Sequence, residues 1–168
     1  MIDSIDTPVG PLFISGDALR IRTVSWKPLK DNPLSGVIDW IIAPLIAYLT
    51  GKQGVFPGGL DFYEGRFVWA RHPAPEDPHG FRHRVFNETI KVPFGHTMTY
   101  GKCARDLGNR HLARAIGGAL RSNNLAILVP CHRIIAAGSI GGYNGGVEKK
   151  RFLLHLEQKA SQTHKYQA

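Results

Sequence analysis

Cysteine is scarce in this 168-residue chain, and acidic residues are outnumbered by basic ones. The two cysteines, Cys103 and Cys131, are too few for a disulfide framework and do not have the spacing of metal ligands, so we expect a reducing, cytoplasmic compartment. Lysine and arginine number 21 against 13 aspartates and glutamates, which gives a formal net charge of +8. This excess favours an anionic partner, although a merely solvated basic surface has the same composition.

Long hydrophobic runs are also missing. The longest apolar segment, residues 37–49, is interrupted by Asp39 and Pro44 and is shorter than the ~20 residues that cross a bilayer. We therefore expect neither membrane insertion nor a secretory leader. Apolar residues still make up 43% of the chain, which is enough for a real core in one compact unit or two small domains.

A metal site lacks support. His79 and His83 lie four residues apart and could share one face of a helix, but no third ligand follows at a suitable spacing. We expect no metal and no cofactor. Cys103 is most simply a small buried apolar residue, although an exposed position would make it a competing thiol.

The composition predicts a domain boundary within residues 72–78, where three prolines and two acidic residues oppose a helix. We therefore divide the chain into residues 1–77 and 78–168. In the first part, residues 19–23 and 60–69 have strand patterns, and residues 37–49 have apolar positions at helical spacing. This predicts a small α/β domain with a supporting role, since it contains no chemical motif.

The second part has the pattern of a helical hairpin. Phe81, Val85 and Ile90 predict one helix that ends before Pro93, and another helix should begin near Thr99. A Gly108-Asn109 turn then separates that helix from a third, whose apolar face comprises Leu112, Ile116 and Leu120. Helix, turn and helix form a DNA-binding motif in many proteins, although most such hairpins bind no nucleic acid.

The third helix carries two unusual features. Gly117 and Gly118 each lower helix stability by roughly 1 kcal/mol relative to alanine, which indicates close approach of another surface or of a neighbouring helix. Arg110, Arg114 and Arg121 could contact phosphates, or could simply be solvated.

The strongest chemical signal is a cysteine followed by a histidine. The apolar run 125–129 predicts a strand that ends just before Cys131 and His132. A neighbouring histidine can lower the pKa of a cysteine and so create the reactive thiolate. An isolated Cys-His pair, however, is more often a buried structural cysteine.

Further motifs accompany this pair, and together they resemble the O⁶-alkylguanine-DNA alkyltransferase family over roughly residues 80–158. They are Tyr100-Gly101, Asn109, Arg114-Ala115-Ile116-Gly117, Arg121-Ser122-Asn123, Pro130-Cys131-His132-Arg133, Gly141-Gly142-Tyr143-Asn144-Gly145-Gly146 and the helix leading to Glu157. The resemblance implies an α/β protein: a small N-terminal α/β domain and a helical, winged-helix-like C-terminal domain that carries the helix-turn-helix and the active site.

The resemblance also implies a function, namely direct-reversal DNA repair by a methylated-DNA-[protein]-cysteine S-methyltransferase. Such a protein binds double-stranded DNA that contains O⁶-alkylguanine and transfers the alkyl group irreversibly to its own cysteine. It acts once, uses no cofactor and is monomeric in the absence of DNA.

The resemblance assigns four residues to the chemistry. Cys131 is the nucleophile, and His132 takes the thiol proton through a water molecule. Glu157 orients the imidazole, as the third member of a triad does. Asn123 braces the turn around the active-site strand.

Other matches concern DNA and the substrate pocket. Arg114 would fill the gap left by an extruded nucleotide, and Tyr100 would crowd the adjacent phosphate, unless it is a core tyrosine. Asn109 would contact the DNA backbone or would merely form the turn between the helices. Tyr143, within the glycine-rich loop, would donate to the leaving guanine. Asn144 stands where many relatives have a small residue, and the loop 135–142 is one residue shorter than the family's usual pattern. The resemblance therefore does not predict which sizes of alkyl group are accepted.

Two other functions compete with self-alkylation. An alkyltransferase-like protein would bind lesions without chemistry and recruit other repair factors, but such proteins carry a different residue at the position of Cys131. A Cys-His hydrolase unrelated to DNA would catalyse many reaction cycles per molecule. The basic net charge and the helical hairpin argue against this function. The polar tail, residues 159–168, is expected to fray.

Overall fold

The computed structural model describes residues 4–17, 20–29, 39–51 and 80–165. Its N-terminal part is a three-stranded antiparallel sheet followed by a helix, and its C-terminal part is mainly helical, as the sequence predicts. The N-terminal elements are β1 (Ser4–Ile5), β2 (Leu12–Asp17), β3 (Arg20–Ser25) and α1 (Asp39–Leu49). The C-terminal elements are α2 (Phe81–Ile90), β4 (Met98–Thr99), α3 (Tyr100–Asp106), α4 (Ala113–Arg121), β5 (Ile134–Ile135) and α5 (Val147–Lys165).

The predicted helix-turn-helix is confirmed as α3, a turn and α4. Thr99 caps α3, since its hydroxyl accepts a hydrogen bond from Lys102 N at 3.1 Å. Gly108 forms the turn with φ of +85°, a conformation that favours glycine. Ile116 and Leu120 face the core from α4, as their spacing predicts.

The N-terminal sheet is joined to the C-terminal part by backbone hydrogen bonds. Val24 of β3 donates to Asn124 O and accepts from Ala126 N, both at 2.8 Å. Val24 is fully buried and forms a parallel bridge with Leu125. The end of β3 therefore lies beside the segment that leads to Cys131.

The prediction of a strand over residues 125–129 is wrong. Only Leu125 is in a β-bridge; residues 126–128 form a turn and Val129 a bend, with Val129 N donating to Leu125 O at 2.8 Å and Ile127 at φ of +70°. All five side chains are buried. The apolar run reflects burial on every side, which a short hydrophobic run cannot distinguish from an extended conformation.

The prediction of a fraying tail is also wrong for residues 159–165. Helix α5 continues to Lys165, because buried Ala160 extends the apolar face that includes Leu153. Ser161 packs so closely against Gly95 that an added Cβ there would lie 2.8 Å from it.

Several predictions fall outside the described residues. They are the strand over 60–69, the boundary loop 72–78 and the position of His79. Among the described helices, none has both the length and the apolar character needed to cross a membrane.

Candidate active site

Cys131 lies at the start of a 3₁₀ turn, Cys131–Arg133, and is only 7% exposed. Asn123 holds this turn in place. Its amide nitrogen donates to Cys131 Sγ and to Val129 O, both at 3.0 Å, while its amide oxygen accepts from Leu125 N at 3.0 Å. A single side chain thus fixes both the sulfur and the backbone that carries it.

The sulfur is not a ready-made thiolate. Burial raises the pKa of the Cys131 thiol, although the hydrogen bond from Asn123 and the positive charge of Lys150 act against this rise. The sequence favoured a lowered pKa because His132 is adjacent, but desolvation has the larger effect. A reaction in which this sulfur is the nucleophile would therefore need a base that removes the proton as the reaction proceeds.

His132 and Glu157 form a fully buried pair. Nε2 of His132 lies 2.7 Å from Glu157 Oε1, and neither side chain is more than 1% exposed. Burial lowers the pKa of His132, while the Glu157 carboxylate opposes that shift, so the imidazole is neutral at pH 7. Because a carboxylate accepts only, Nε2 carries the proton and Nδ1 is the basic nitrogen. Nδ1 has no hydrogen-bond partner within the part of the chain that the structure describes.

Glu157 accepts hydrogen bonds from three further residues. The Arg133 guanidinium approaches both carboxylate oxygens at 2.9–3.1 Å, and Gly95 N donates to Oε2 at 3.0 Å. The Tyr48 hydroxyl of α1 donates to Oε1 and lies 3.3 Å from His132 Nε2. Burial alone would raise the pKa of Glu157, but the hydrogen bonds and charges of His132 and Arg133 lower it to about 2.

The sequence did not identify Tyr48 or assign a role to Arg133. Arg133 belongs to the Pro-Cys-His-Arg motif, so its position in that motif was a signal that could have been used. Tyr48 lies outside the segment that resembles the family and is 109 residues from Glu157, so local pattern gave no indication of it.

A small cavity beside Cys131 has a volume of about 20 Å³, enough for about one water molecule. Tyr143 and Asn144 border it, as predicted for a substrate pocket, but so do Trp26 and Lys27, which the sequence did not suggest. Trp26 Nε1 donates to the Tyr143 hydroxyl at 3.1 Å, and Lys27 Nζ lies 3.1 Å from Asn144 Oδ1. Burial raises the pKa of Tyr143 well above its usual value, so its hydroxyl keeps its proton.

Lys150 is a second residue that the sequence did not suggest. It is fully buried, and its Nζ donates to Ile134 O at 2.5 Å and to Gly142 O at 3.1 Å. Burial lowers the pKa of this lysine to about 8, with a smaller opposing effect of Cys131. The ammonium group joins the strand that follows Cys131 to the loop that carries Tyr143.

The predicted DNA-contacting residues lie on and beside α4. Arg114 and Arg121 are exposed, and their spacing places them on the helix face opposite Ile116 and Leu120. Asn109 lies at the turn, where its side chain accepts from His111 N at 2.9 Å. None of these three residues borders the cavity beside Cys131.

Tyr100 connects the helical hairpin to the pocket loop. A Cβ added to Gly117 would lie 3.9 Å from its ring, and one added to Gly141 would lie 3.3 Å from it. Gly118 is different, because an added Cβ would meet no described atom within 4 Å. Packing against a neighbouring helix therefore does not account for Gly118.

Cys103 is fully buried, which confirms its interpretation as a small apolar residue. Burial raises the pKa of this thiol to about 11, and the nearby Glu88 and Asp106 carboxylates add to the rise. Cys103 is thus an unreactive thiol. Throughout the described ranges, no three His, Cys, Asp or Glu side chains gather as a metal site would require.

Known proteins resemble this chain in sequence. Residues 80–159 match the family model of the 6-O-methylguanine DNA methyltransferase DNA binding domain. The methylated-DNA–protein-cysteine methyltransferase of Mycobacterium tuberculosis strain H37Rv is 34% identical over 92% of this chain and 90% of its own length. That of Methanosarcina acetivorans is 34% identical over 90% of this chain and 94% of its own length.

Solved structures resemble the chain as well. The crystal structure of Mycobacterium tuberculosis OGT in complex with DNA superposes with a TM-score of 0.75 at 31% identity, covering 94% of this chain and 92% of that one. The O6-methylguanine-DNA methyltransferase from Pyrococcus kodakaraensis shares the fold, with a TM-score of 0.61 at 24% identity over 86% of this chain and 88% of its own. The predicted α/β fold class is therefore confirmed.

Proposed function

The chain belongs to the family of methylated-DNA–protein-cysteine methyltransferases, and we propose that it repairs DNA by direct reversal with Cys131 as the acceptor. Its substrate is O⁶-alkylguanine in double-stranded DNA, which it binds as a monomer. One observation carries the assignment of the nucleophile: Cys131 borders a cavity with Tyr143 and lies next to the buried His132–Glu157 pair. The relatives named above are methyltransferases, so self-alkylation is favoured over lesion binding without chemistry.

Proton removal from Cys131 is the task of His132. Since Nε2 is committed to Glu157, Nδ1 accepts the thiol proton through a water molecule, and the carboxylate stabilises the resulting imidazolium. The thiol pKa is raised and the imidazole pKa is lowered, so this transfer is unfavourable in the free protein. It becomes favourable only when it accompanies attack on the alkyl carbon.

The alkyl transfer is an in-line displacement. Cys131 Sγ forms a bond to the alkyl carbon, the bond from that carbon to O6 breaks, and the electron pair leaves with guanine. Tyr143, whose hydroxyl stays protonated, donates a proton to the departing base. The thioether product is stable, so each molecule acts once. Asn123 positions the sulfur throughout.

Access to the base requires extrusion from the duplex, which opposes the reaction by a few kcal/mol. Arg114, exposed on α4, fills the space that the nucleotide leaves. Arg121 and Asn109 contact the phosphate backbone, and Tyr100 crowds the phosphate next to the lesion. Asn144 borders the cavity and forms part of the substrate pocket.

The assignment of the nucleophile is tested by Cys131→Ala, with Cys103→Ala as the matched control, because these are the two cysteines of the chain. With a duplex containing labelled O⁶-methylguanine, Cys131→Ala should transfer no label and still bind the duplex. Cys103→Ala should transfer one methyl group per molecule. Stoichiometric transfer by Cys131→Ala would refute the assignment.

A further inference from the structure

Two lysines lie at the cavity beside Cys131, and we call them the basic rim. Lys27 follows β3, is exposed and borders the cavity itself. Lys149 belongs to the first turn of α5, and its Nζ lies 5.8 Å from the centroid of the Trp26 ring, which borders the same cavity. Neither lysine has a role in the proposed transfer step.

The contacts of the basic rim leave its charges accessible to an anion from outside. Lys27 Nζ donates to Asn144 Oδ1 at 3.1 Å, and this hydrogen bond is exposed to solvent. Exposed contacts of a flexible lysine contribute little to stability, so the ammonium group can exchange Asn144 for another acceptor. Lys149 is partly exposed, and the neighbouring Glu148 carboxylate bonds to Arg151 at 2.6 Å.

The chemistry of the substrate brings an anion to this rim. For transfer to Cys131, the alkylated base has to leave the duplex and reach the cavity that Lys27 borders. The sugar and the two flanking phosphates of that nucleotide remain part of the strand, so they stay at the cavity mouth while the base is inside. A lysine ammonium binds a phosphate as a point charge. In undamaged DNA the base stays stacked, and its phosphates stay on the duplex.

We propose that Lys27 and Lys149 bind a phosphate of the extruded nucleotide, so that the N-terminal part of the chain contacts DNA directly. This rests on the proposed function. In the free protein Lys27 bonds to Asn144. In the complex its ammonium group turns to the phosphate, and Lys149 adds a second positive charge. The contact forms only after extrusion, so it stabilises the extruded state rather than the first encounter with the duplex.

The primary test is Lys27→Met, which keeps an unbranched apolar side chain and removes the charge. The single-turnover rate constant at saturating duplex containing O⁶-methylguanine should fall roughly three- to tenfold, the effect of one lost contact to a charged group. The rate with free O⁶-benzylguanine, which has no phosphate, should change by less than about twofold. An equal fall with O⁶-benzylguanine would mean that Lys27 acts by holding Asn144, and would overturn the proposal.

The phosphate is identified by making it neutral. A methylphosphonate removes the charge of a single phosphate and can be placed on either side of the lesion. At one of these two positions it should slow the wild type, and Lys27→Met should then cause no further slowing, because both changes remove the same contact. If Lys27→Met slowed transfer by the same factor on the unmodified duplex and on both modified duplexes, neither phosphate would be its partner, and the proposal would fail.

Lys91→Met is the matched control, because it also removes one exposed positive charge. Lys91 is 65% exposed, pairs with Glu88 and does not border the cavity. A general loss of electrostatic attraction to DNA would affect both variants alike. Lys91→Met should therefore keep the saturating rate of the wild type and its response to the methylphosphonates. A loss as large as that of Lys27→Met would overturn the proposal.

Lys149 is tested on the same duplexes. Lys149→Met should slow transfer from the duplex but not from O⁶-benzylguanine, and this effect should vanish on the methylphosphonate duplex that suppresses the effect of Lys27→Met. An effect that persists on that duplex would overturn the shared phosphate. A wild type that alkylates no cysteine would refute the proposed function and this proposal with it, whereas normal alkylation by the wild type with any contrary result above overturns this proposal alone.

Discussion

At the scale of single residues, the site is organised around one carboxylate. Glu157 accepts hydrogen bonds from His132, Arg133, Tyr48 and the backbone of Gly95. A buried charge is tolerated only when it is paired and hydrogen-bonded, and these four partners meet that requirement. The carboxylate therefore fixes the tautomer of His132 and also joins α1 to α5.

Glu157→Gln should destabilise the fold by roughly 3–5 kcal/mol at pH 7, because it removes the carboxylate that pairs with the mostly buried Arg133 guanidinium. Urea unfolding measures this loss, and a change below about 1 kcal/mol would show that the Glu157 carboxylate does not stabilise the fold through Arg133. Methyl transfer should slow as well, since the imidazolium loses its counterion.

The free energy of unfolding should also depend on pH differently in the wild type and in Glu157→Gln. The pKa of Glu157 is about 2 in the folded state and near 4.5 when unfolded, so its stabilisation is complete above about pH 4.5 and is lost as pH falls toward 2. His132 has a lowered pKa, so it adds a loss that begins below about pH 6.5. The stability difference between wild type and Glu157→Gln should therefore shrink in acid. A difference that stays constant from pH 7 to pH 3 would contradict this.

Residue assignments follow from sequence only where the signal is local. Cys131 and His132 are adjacent, and Asn123 precedes them by eight residues, so a motif can record them together. Tyr48 and Trp26 reach the site across 109 and 117 residues. Nothing in their own segments marks them, because their role arises only when the N-terminal sheet and α1 pack against the C-terminal part.

At the scale of elements, α4 presents two different faces. Ile116 and Leu120 are buried, while Arg114, Gly118 and Arg121 share the exposed face. The helical periodicity predicted these faces correctly. The strand predicted over residues 125–129 was wrong because burial on all sides removes the alternation that distinguishes a strand.

Arg114→Ala should slow repair of duplex DNA more than reaction with free O⁶-benzylguanine, because only the duplex requires extrusion. Single-turnover rates on both substrates measure this. Arg121→Ala is the comparison: it should weaken duplex binding while keeping the rate at saturation. If Arg114→Ala slowed both substrates equally, Arg114 would not act in extrusion.

Gly118→Ala should stabilise the protein by roughly 0.5–1 kcal/mol, since the residue is helical, exposed and has room for a Cβ. The same substitution should weaken duplex binding if the backbone of α4 approaches DNA closely. Urea unfolding and a binding titration test the two effects. Greater stability with unchanged affinity would show that this face does not need glycine for DNA.

At the scale of the whole molecule, the N-terminal part contributes residues to the candidate active site. It supplies Tyr48 to Glu157, Trp26 to Tyr143 and the backbone of Val24 to the segment before Cys131. The sequence predicted an α/β unit that merely supports the second part. The prediction of an α/β N-terminal part and a helical C-terminal part is confirmed. The contribution of the N-terminal part to the site depends on side-chain contacts that composition does not encode. The boundary at residue 77 stays a prediction, since it lies outside the described residues.

The net charge of +8 predicts salt-dependent DNA binding. Each neutralised phosphate contributes a slope of about −0.9 to the logarithmic dependence of affinity on salt concentration. If Arg110 and Arg121 each contact one phosphate, the slope should be about −1.8 or steeper. Arg121→Ala should make it shallower by about 0.9, and a flat response would exclude phosphate contacts.

In the proposed function, Cys131 accepts the alkyl group irreversibly and only once. The most direct measurement is peptide mass spectrometry after incubation with an excess of duplex containing O⁶-methylguanine. We predict one methyl group per protein, on Cys131, with no further repair after that equivalent is consumed. Continued repair of the excess lesion, or bound lesion with Cys131 unmodified, would refute single-use self-alkylation of Cys131.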